Sequence, residues 1–371
     1  MAVIVGIGLV ASVFLDLVNT LVATDTHSGR WWLTSVIYRF TWRLNRRIAK
    51  MLPNESVRNR FLSNYAPITL LLLLFGWVVQ QIIGFGLIWW GLGGVDGASS
   101  LFDAVYYSGV VYFTLGFGEV VPADTIPRIG SLVEAMAGVL TTALLIGYLP
   151  SLYGAYSERE RMLMTLDDGS EDRVTPTSLV IARAPGGDTS QLMPFFKDWE
   201  QWIASVLETH TAFPMLRLFR SKQVGQSWIT ALGLVSDAAL HCQMINGLDN
   251  REAYWCLRRA IRLFDELTKD FDLPAWYGEY DELMQGFEDQ VDSPDDPFAL
   301  IHRQLEAHGF DVLPLAQARA AVVDLRRRYA PALECLIDAY VAPPGFWGHA
   351  VGHRMIDGSR SLIDETVGRT D

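Results

Sequence analysis

Three stretches of this 371-residue chain are apolar enough, and long enough, to cross a bilayer: Val3–Ala23, Ile68–Leu92 and Ile129–Tyr153. A span needs about 20 mostly apolar residues, and inside hydrocarbon its backbone polar groups must pair with one another. Each stretch is therefore expected to be a helix. The first lacks the basic start and cleavage site of a signal peptide, so it reads as a retained span. Charged residues make up 19% of the chain against the usual ~25%. Mean hydropathy is +0.19. Disordered, collagen-like and disulfide-framework classes are excluded, and only Cys242, Cys256 and Cys335 are present.

The net charge of −12 hides a division. Residues 1–155 carry 9 Lys+Arg against 8 Asp+Glu, or +1, and residues 156–371 carry 21 against 34, or −13. The acidic balance argues against nucleic acid as a partner. Between the first two spans lie Arg30, Arg39, Arg43, Arg46, Arg47, Lys50, Arg58 and Arg60. Between the second and third lie Asp96, Asp103, Glu119 and Asp124, with Arg128 at the end. Positive loops stay in the cytoplasm. This places the N-terminus outside and the acidic C-terminal part in the cytosol, across a cell (plasma or inner) membrane.

Residues 31–52 form an amphipathic helical pattern, with Leu33, Val36, Ile37, Phe40, Leu44 and Ile48 opposite most of the arginines. The arginine spacing also suits a voltage sensor, but only one span precedes it. An interfacial helix on anionic inner-leaflet lipid fits better.

Ser100-Leu-Phe-Asp103 has the form of a capping box and opens a short helix to about Phe113. Thr114-Leu115-Gly116-Phe117-Gly118-Glu119 follows. This run resembles the selectivity filter of the potassium channel family, commonly T-V-G-Y-G-D, and Phe in the fourth position is familiar in its two-pore-domain members. Backbone carbonyls replacing an ion's water shell must point to one axis, which needs alternating conformations that glycine adopts freely.

The resemblance implies an ion-binding filter at Thr114, Leu115, Gly116, Phe117 and Gly118. It implies filter support from Tyr106, Tyr107 and Glu119, with Tyr106 and Tyr107 as the pore-helix aromatic pair and Glu119 where Asp is usual. Pore lining or gating falls to Gly138, Thr141, Thr142 and Glu134. Gly138 occupies the position of the family's hinge glycine, with close helix packing as the alternative. Glu134 either bonds the back of the filter or faces the outer vestibule. Asp16, with Asn19 and Thr20 on one helix face, reads as a packing contact before a proton-sensing group. One filter segment cannot close a ring, so a homotetramer passing K+ is implied, with no cofactor and no catalytic activity. The alternatives are a weakly selective cation channel, or a membrane-tethered receptor or enzyme acting through the C-terminal part.

The expected fold class is all-α: membrane helices with a re-entrant pore helix and filter loop, plus a cytosolic helical bundle. The expected parts are a first transmembrane helix (1–24), a cytoplasmic linker with the interfacial helix (25–63) and a pore domain (64–156). A linker (157–187) follows, with a strand candidate at Leu179–Ala182, and then a helical domain (188–371) of six to eight helices. Its stripes are Ala253, Leu257, Ile261, Phe264, Leu267 and Leu315, Val322, Leu325, Tyr329, Leu336, Ile337. Residues 210–240 are similar to a segment behind the pore in other bacterial ion channel proteins. His349/His353 and Asp292/Asp295/Asp296 are weak metal-binding candidates. Asp265, Glu266, Asp270 and Asp272 read as a solvated face, and Cys242 and Cys256 as core. No cytosolic regulator is identifiable.

Overall fold

The computed structural model describes residues 1–21, 33–52, 54–166, 174–221, 226–269 and 296–343, with isolated positions between 271 and 281. The chain divides into two units. The first comprises residues 1–53, 60–156 and 209–219, and the second comprises 54–59, 157–208 and 220–371.

In the first unit, α1 (Ala2–Leu21), α4 (Tyr65–Leu92) and α6 (Thr125–Leu163, which runs on past Tyr156) are long and apolar enough to cross a membrane. Lipid tails are as apolar as the helices, so close backbone approach and buried hydrogen bonds must hold such helices together. Both occur between α1 and α4. A Cβ on Gly6 would lie 2.4 Å from the Gly84 carbonyl oxygen. Trp77 Nε1 donates to Asp16 at 2.9 Å, and Gln80 Nε2 donates to Ser12 Oγ at 2.7 Å. Asp16 is buried, as expected of a packing contact.

Helix α2 (Leu33–Met51) docks on the start of α4 through Thr41, bonded to Tyr65 at 2.9 Å, and through Trp42 on the Tyr65 ring. Its opposite side leaves Phe40, Leu44, Ile48 and Met51 exposed, with Arg43 and Arg47 also in the open. A short helix α3 (Glu55–Ser63) leads into α4.

A short helix, α5 (Leu101–Tyr112), the expected pore helix, lies between α4 and α6 in sequence. A two-residue clip, β1 (Val95–Asp96) antiparallel to β2 (Val121–Pro122), ties the chain before α5 to the chain after the glycine-rich run. Residues 209–219 pack on the late part of α6. Phe213 meets Tyr148 at 5.5 Å, and Phe219 meets Tyr156 at 5.5 Å. This corrects the 188–371 boundary: an aromatic segment from within it belongs to the first unit.

The second unit is helical: α7 (Pro176–Arg183), α8 (Leu192–Ala212, up to Glu208), α9 (Trp228–Cys242), α10 (Arg251–Leu267), α11 (Pro297–Ala307), α12 (Leu315–Arg327) and α13 (Ala330–Tyr340). All 15 residues of α9 are buried, the signature of a core helix. Its polar side chains are paired inside: Asp237 accepts from Arg326 Nε at 3.1 Å and from the Tyr329 hydroxyl, and His241 meets Thr177 at 3.3 Å. Both apolar stripes read from the sequence face this core, with Ile261, Leu315 and Leu325 partly buried at its edge.

Two expectations for 157–187 are overturned. The strand candidate Leu179–Ala182 lies within α7, where Thr175 and Ser178 form a reciprocal capping box and Pro176 opens the first turn. Local capping outweighs the β-branched run. Nor is the segment a free linker, since Leu163, Leu166, Leu179, Val180 and Ala184 are buried in the second unit's core.

Asp296 is 1% exposed, caps α11 through Phe298 N and pairs with Arg319 at 2.6 Å, which is a structural role rather than a calcium loop. Glu266 pairs with Lys269 on the surface. Cys242 and Cys256 are buried in the core as expected, Cys335 is buried too, and none of the three is in a disulfide. His349, His353, Asp270, Asp272, Asp292 and Asp295 lie outside the described residues.

Candidate ion pathway

The capping box expected at Ser100 is formed. Ser100 Oγ accepts from Asp103 N at 3.2 Å, and the Asp103 carboxylate accepts from Ser100 N at 2.8 Å and Ser99 N at 2.9 Å. At the other end the helix carbonyls hold the start of the glycine-rich run. Phe113 N donates to Gly109 O, Thr114 N to Val111 O and Leu115 N to Val110 O, all at 2.9–3.0 Å.

Beyond that point the backbone alternates. Thr114, Gly116 and Gly118 have φ of 54°, 65° and 88°, while Leu115 and Phe117 between them do not have positive φ. Alternation between left- and right-handed conformations turns successive carbonyls to one side, which a line of cation ligands requires. Glycine bears these angles without cost; Thr114 bears one with a Cβ. Among the described residues nothing lies within 4 Å of a Cβ position on Gly116 or Gly118. Leu115 and Phe117 are 53% and 63% exposed on a single chain.

The run is braced from α5. Tyr106 OH donates to Glu119 Oε1 at 2.5 Å, fixing the residue after the run to the pore helix. Tyr107 OH pairs with Ser131 Oγ on α6 at 2.5 Å. The glycine of the clip contributes as well, since a Cβ on Gly97 would lie 2.7 Å from Glu119 O.

Three candidates on α6 take places other than the pore wall. Glu134 is fully buried, accepting from Trp89 Nε1 of α4 at 2.7 Å and meeting Ser108 Oγ of α5. It faces neither vestibule nor cavity. Thr141 is 1% exposed and accepts from Gln81 Nε2 at 3.1 Å, so it joins two helices instead of lining the pathway. Gly138 sits under the end of the pore helix, where a Cβ would lie 2.4 Å from Tyr112 O. That is close packing rather than an open hinge. Thr142 is exposed, with its hydroxyl bonded to the Gly138 carbonyl. Sequence reasoning passed over Trp89, Ser108 and Ser131; the one signal was Ser108, a small polar side chain between the tyrosine pair and an apolar Gly-Val-Val run of α5.

Residues 67–153 match the family described as "Ion channel". An uncharacterized membrane protein, YdjJ, of Bacillus subtilis (strain 168) is 26% identical over 136 residues, which are 37% of this chain and 39% of that protein. The chain thus spans about two-fifths of the length of the curated relative it matches. No solved structure matches it. The matched segment contains α4, α5, the alternating run and most of α6, and residues 67–153 are accordingly an ion-channel segment of the two-span, pore-loop family, carried by a membrane protein.

Proposed function

We propose that the chain forms a homotetrameric potassium channel, with Thr114 to Gly118 from four copies lining a filter that conducts K+ down its gradient. The observation that carries this reading is the alternation of positive φ at Thr114, Gly116 and Gly118 directly beyond a capped helix that points its C-terminal end at the run. Four such segments supply the oxygens that replace a hydration shell, and the helix ends add a field favourable to cations. Thr142 is the α6 side chain assigned to the water-filled path. The channel is oriented with its first basic loop in the cytoplasm. Helix α2 rests on anionic inner-leaflet lipid through Phe40, Leu44, Ile48 and Met51, with Arg43 and Arg47 at the headgroups; their exposure supports this.

Purified protein in planar bilayers, under opposed potassium and sodium gradients, tests the reading. Wild-type current should reverse near the potassium potential, and Gly116→Ala, strained at φ 65°, should abolish it. Reversal near zero would favour a weakly selective cation channel. Absence of current across pH, calcium and voltage would refute the channel.

A further inference from the structure

Glu134 is a carboxyl group inside a membrane-spanning helix, fully buried, and no residue described here forms an ion pair with it. Charged carboxylates in such a place are costly, and those that persist carry a function. Its surroundings fix its protonation by counting donors. Trp89 Nε1 donates to Oε2 at 2.7 Å, so that oxygen is an acceptor. The other oxygen, Oε1, meets Ser108 Oγ. Ser108 Oγ also reaches the Ile82 carbonyl at 2.8 Å. A serine hydroxyl has one proton, and a carbonyl can only accept. Both contacts of Ser108 are satisfied together only if the hydroxyl donates to Ile82 O and accepts from Glu134.

We propose that Glu134 is a positioning residue: a neutral carboxylic acid whose proton completes a directed hydrogen-bond chain clamping the pore helix between both spans. The chain runs from Trp89 Nε1–H to Glu134 Oε2, from Glu134 Oε1–H to Ser108 Oγ, and from Ser108 Oγ–H to Ile82 O. It ties α6 to α5 and α5 to α4 at a level where all three helices meet. Two neighbouring contacts extend the clamp along α6: Ser131 to Tyr107 one turn earlier, and Gly138 beneath Tyr112 O one turn later. The same α5 directly holds Thr114 N and Leu115 N through Val111 O and Val110 O. A shift of α5 is therefore passed to the first filter carbonyls, whose spacing and dipoles both act on the passing cation.

This inference rests on the channel reading for its electrical test, and a second readout stands apart from it. In the electrical test, Glu134→Gln should keep the wild-type sodium-to-potassium permeability ratio, because an amide donates to Ser108 and accepts from Trp89. Glu134→Leu, which removes the contacts to both Trp89 and Ser108, should raise that ratio by about tenfold, a change of ~1.4 kcal/mol in the relative barriers of the two ions. Ser108→Ala should raise it as well. A Glu134→Gln variant as poorly selective as Glu134→Leu would overturn the neutral acid, and a Glu134→Leu variant as selective as wild type would overturn the positioning role. Infrared difference spectra of the full-length protein, wild type minus Glu134→Gln, give the second readout and need no current. A protonated-carboxyl C=O band present only in wild type is expected, and its absence overturns the proposal even where Glu134→Leu fails to assemble. A wild type without potassium current but with that band would fail the channel reading and leave the directed chain standing.

Discussion

Replacing Gly138 by alanine separates a hinge from a packing contact. Alanine in a helix interior normally gains about 0.8–1 kcal/mol over glycine. At Gly138 the new Cβ would sit 2.4 Å from Tyr112 O, with Tyr112 C at 3.2 Å and Cδ2 at 3.3 Å, where ordinary van der Waals contact begins at 3.4 Å. The obstructing atom is backbone at the end of α5, so no rotamer change removes it. Overpacking of this kind costs about 1–3 kcal/mol, and a backbone clash belongs at the upper end. The net expectation is a loss of about 2 kcal/mol. Gly147, on the same helix, is the control: a Cβ there meets nothing within 4 Å among the described residues. Alanine at Gly147 should gain the helix-propensity term, leaving the two variants about 3 kcal/mol apart. Denaturant unfolding of the purified full-length protein, followed by tryptophan fluorescence, reads this difference, and reversal potentials show whether the displaced α5 also loosens selectivity. Equal stabilities for the two variants, or a more damaging Gly147→Ala, would refute the packing argument. A Gly138→Ala variant of wild-type stability with altered open probability would restore the hinge.

Other substitutions test separate contacts. Asp16→Ala strands Trp77 Nε1 between α1 and α4 and should cost about 1–3 kcal/mol by the same unfolding assay. Asp16→Asn keeps an acceptor and should leave the pH dependence of current unchanged; a shifted profile would make Asp16 a proton sensor. Asp237→Ala leaves the buried Arg326 guanidinium without its carboxylate and should cost the second unit about 3–5 kcal/mol, seen as selective early loss of its helical signal. Burial pushes the His241 pKa down to about 4, against the ordinary 6.5. Below pH 6.5 the unfolded chain binds a proton that the folded chain refuses, so stability falls as pH drops from 6.5 to 4, by up to about 3 kcal/mol. His241→Gln should flatten that slope, and an unchanged slope would show that other groups set it.

What the sequence disclosed depended on how local the cause was. The spans are legible because crossing a bilayer is a matter of length and hydropathy. The cap at Ser100 and Asp103 is legible because both partners lie within one turn. Gly116 and Gly118 announce their positive φ by having no Cβ; Thr114 adopts the same region with one and gives no such notice. Leu179–Ala182 misled because four apolar residues fit a strand or a helix, and only the cap at Thr175 and the core beneath Leu179 decide. Thr141 and Thr142 are adjacent and chemically alike. Which one meets Gln81 depends on how α6 is rotated against α4, a tertiary fact with no local trace. Gly138 is the same case, since hinge and packing glycines differ only in what lies opposite.

Helix α6 also measures the membrane around it. Between Arg128 and Glu158 the only Asp, Glu, Lys, Arg or His is the buried Glu134. At about 1.5 Å per residue that interval is roughly 45 Å, the thickness of a bilayer with its headgroups. Pro150, inside this helix, falls about 33 Å from Arg128 and about 12 Å from Glu158; a ~30 Å hydrocarbon layer centred in that interval ends about 37 Å from Arg128, so Pro150 lies just inside the edge nearer Glu158. The backbone carbonyl that Pro150 leaves without a donor is that of Ile146, one turn deeper at about 27 Å from Arg128, within hydrocarbon where no water bonds it. Its cost falls as the hydrocarbon boundary comes nearer, so bilayer thickness becomes a variable that sets the cost of keeping a proline there.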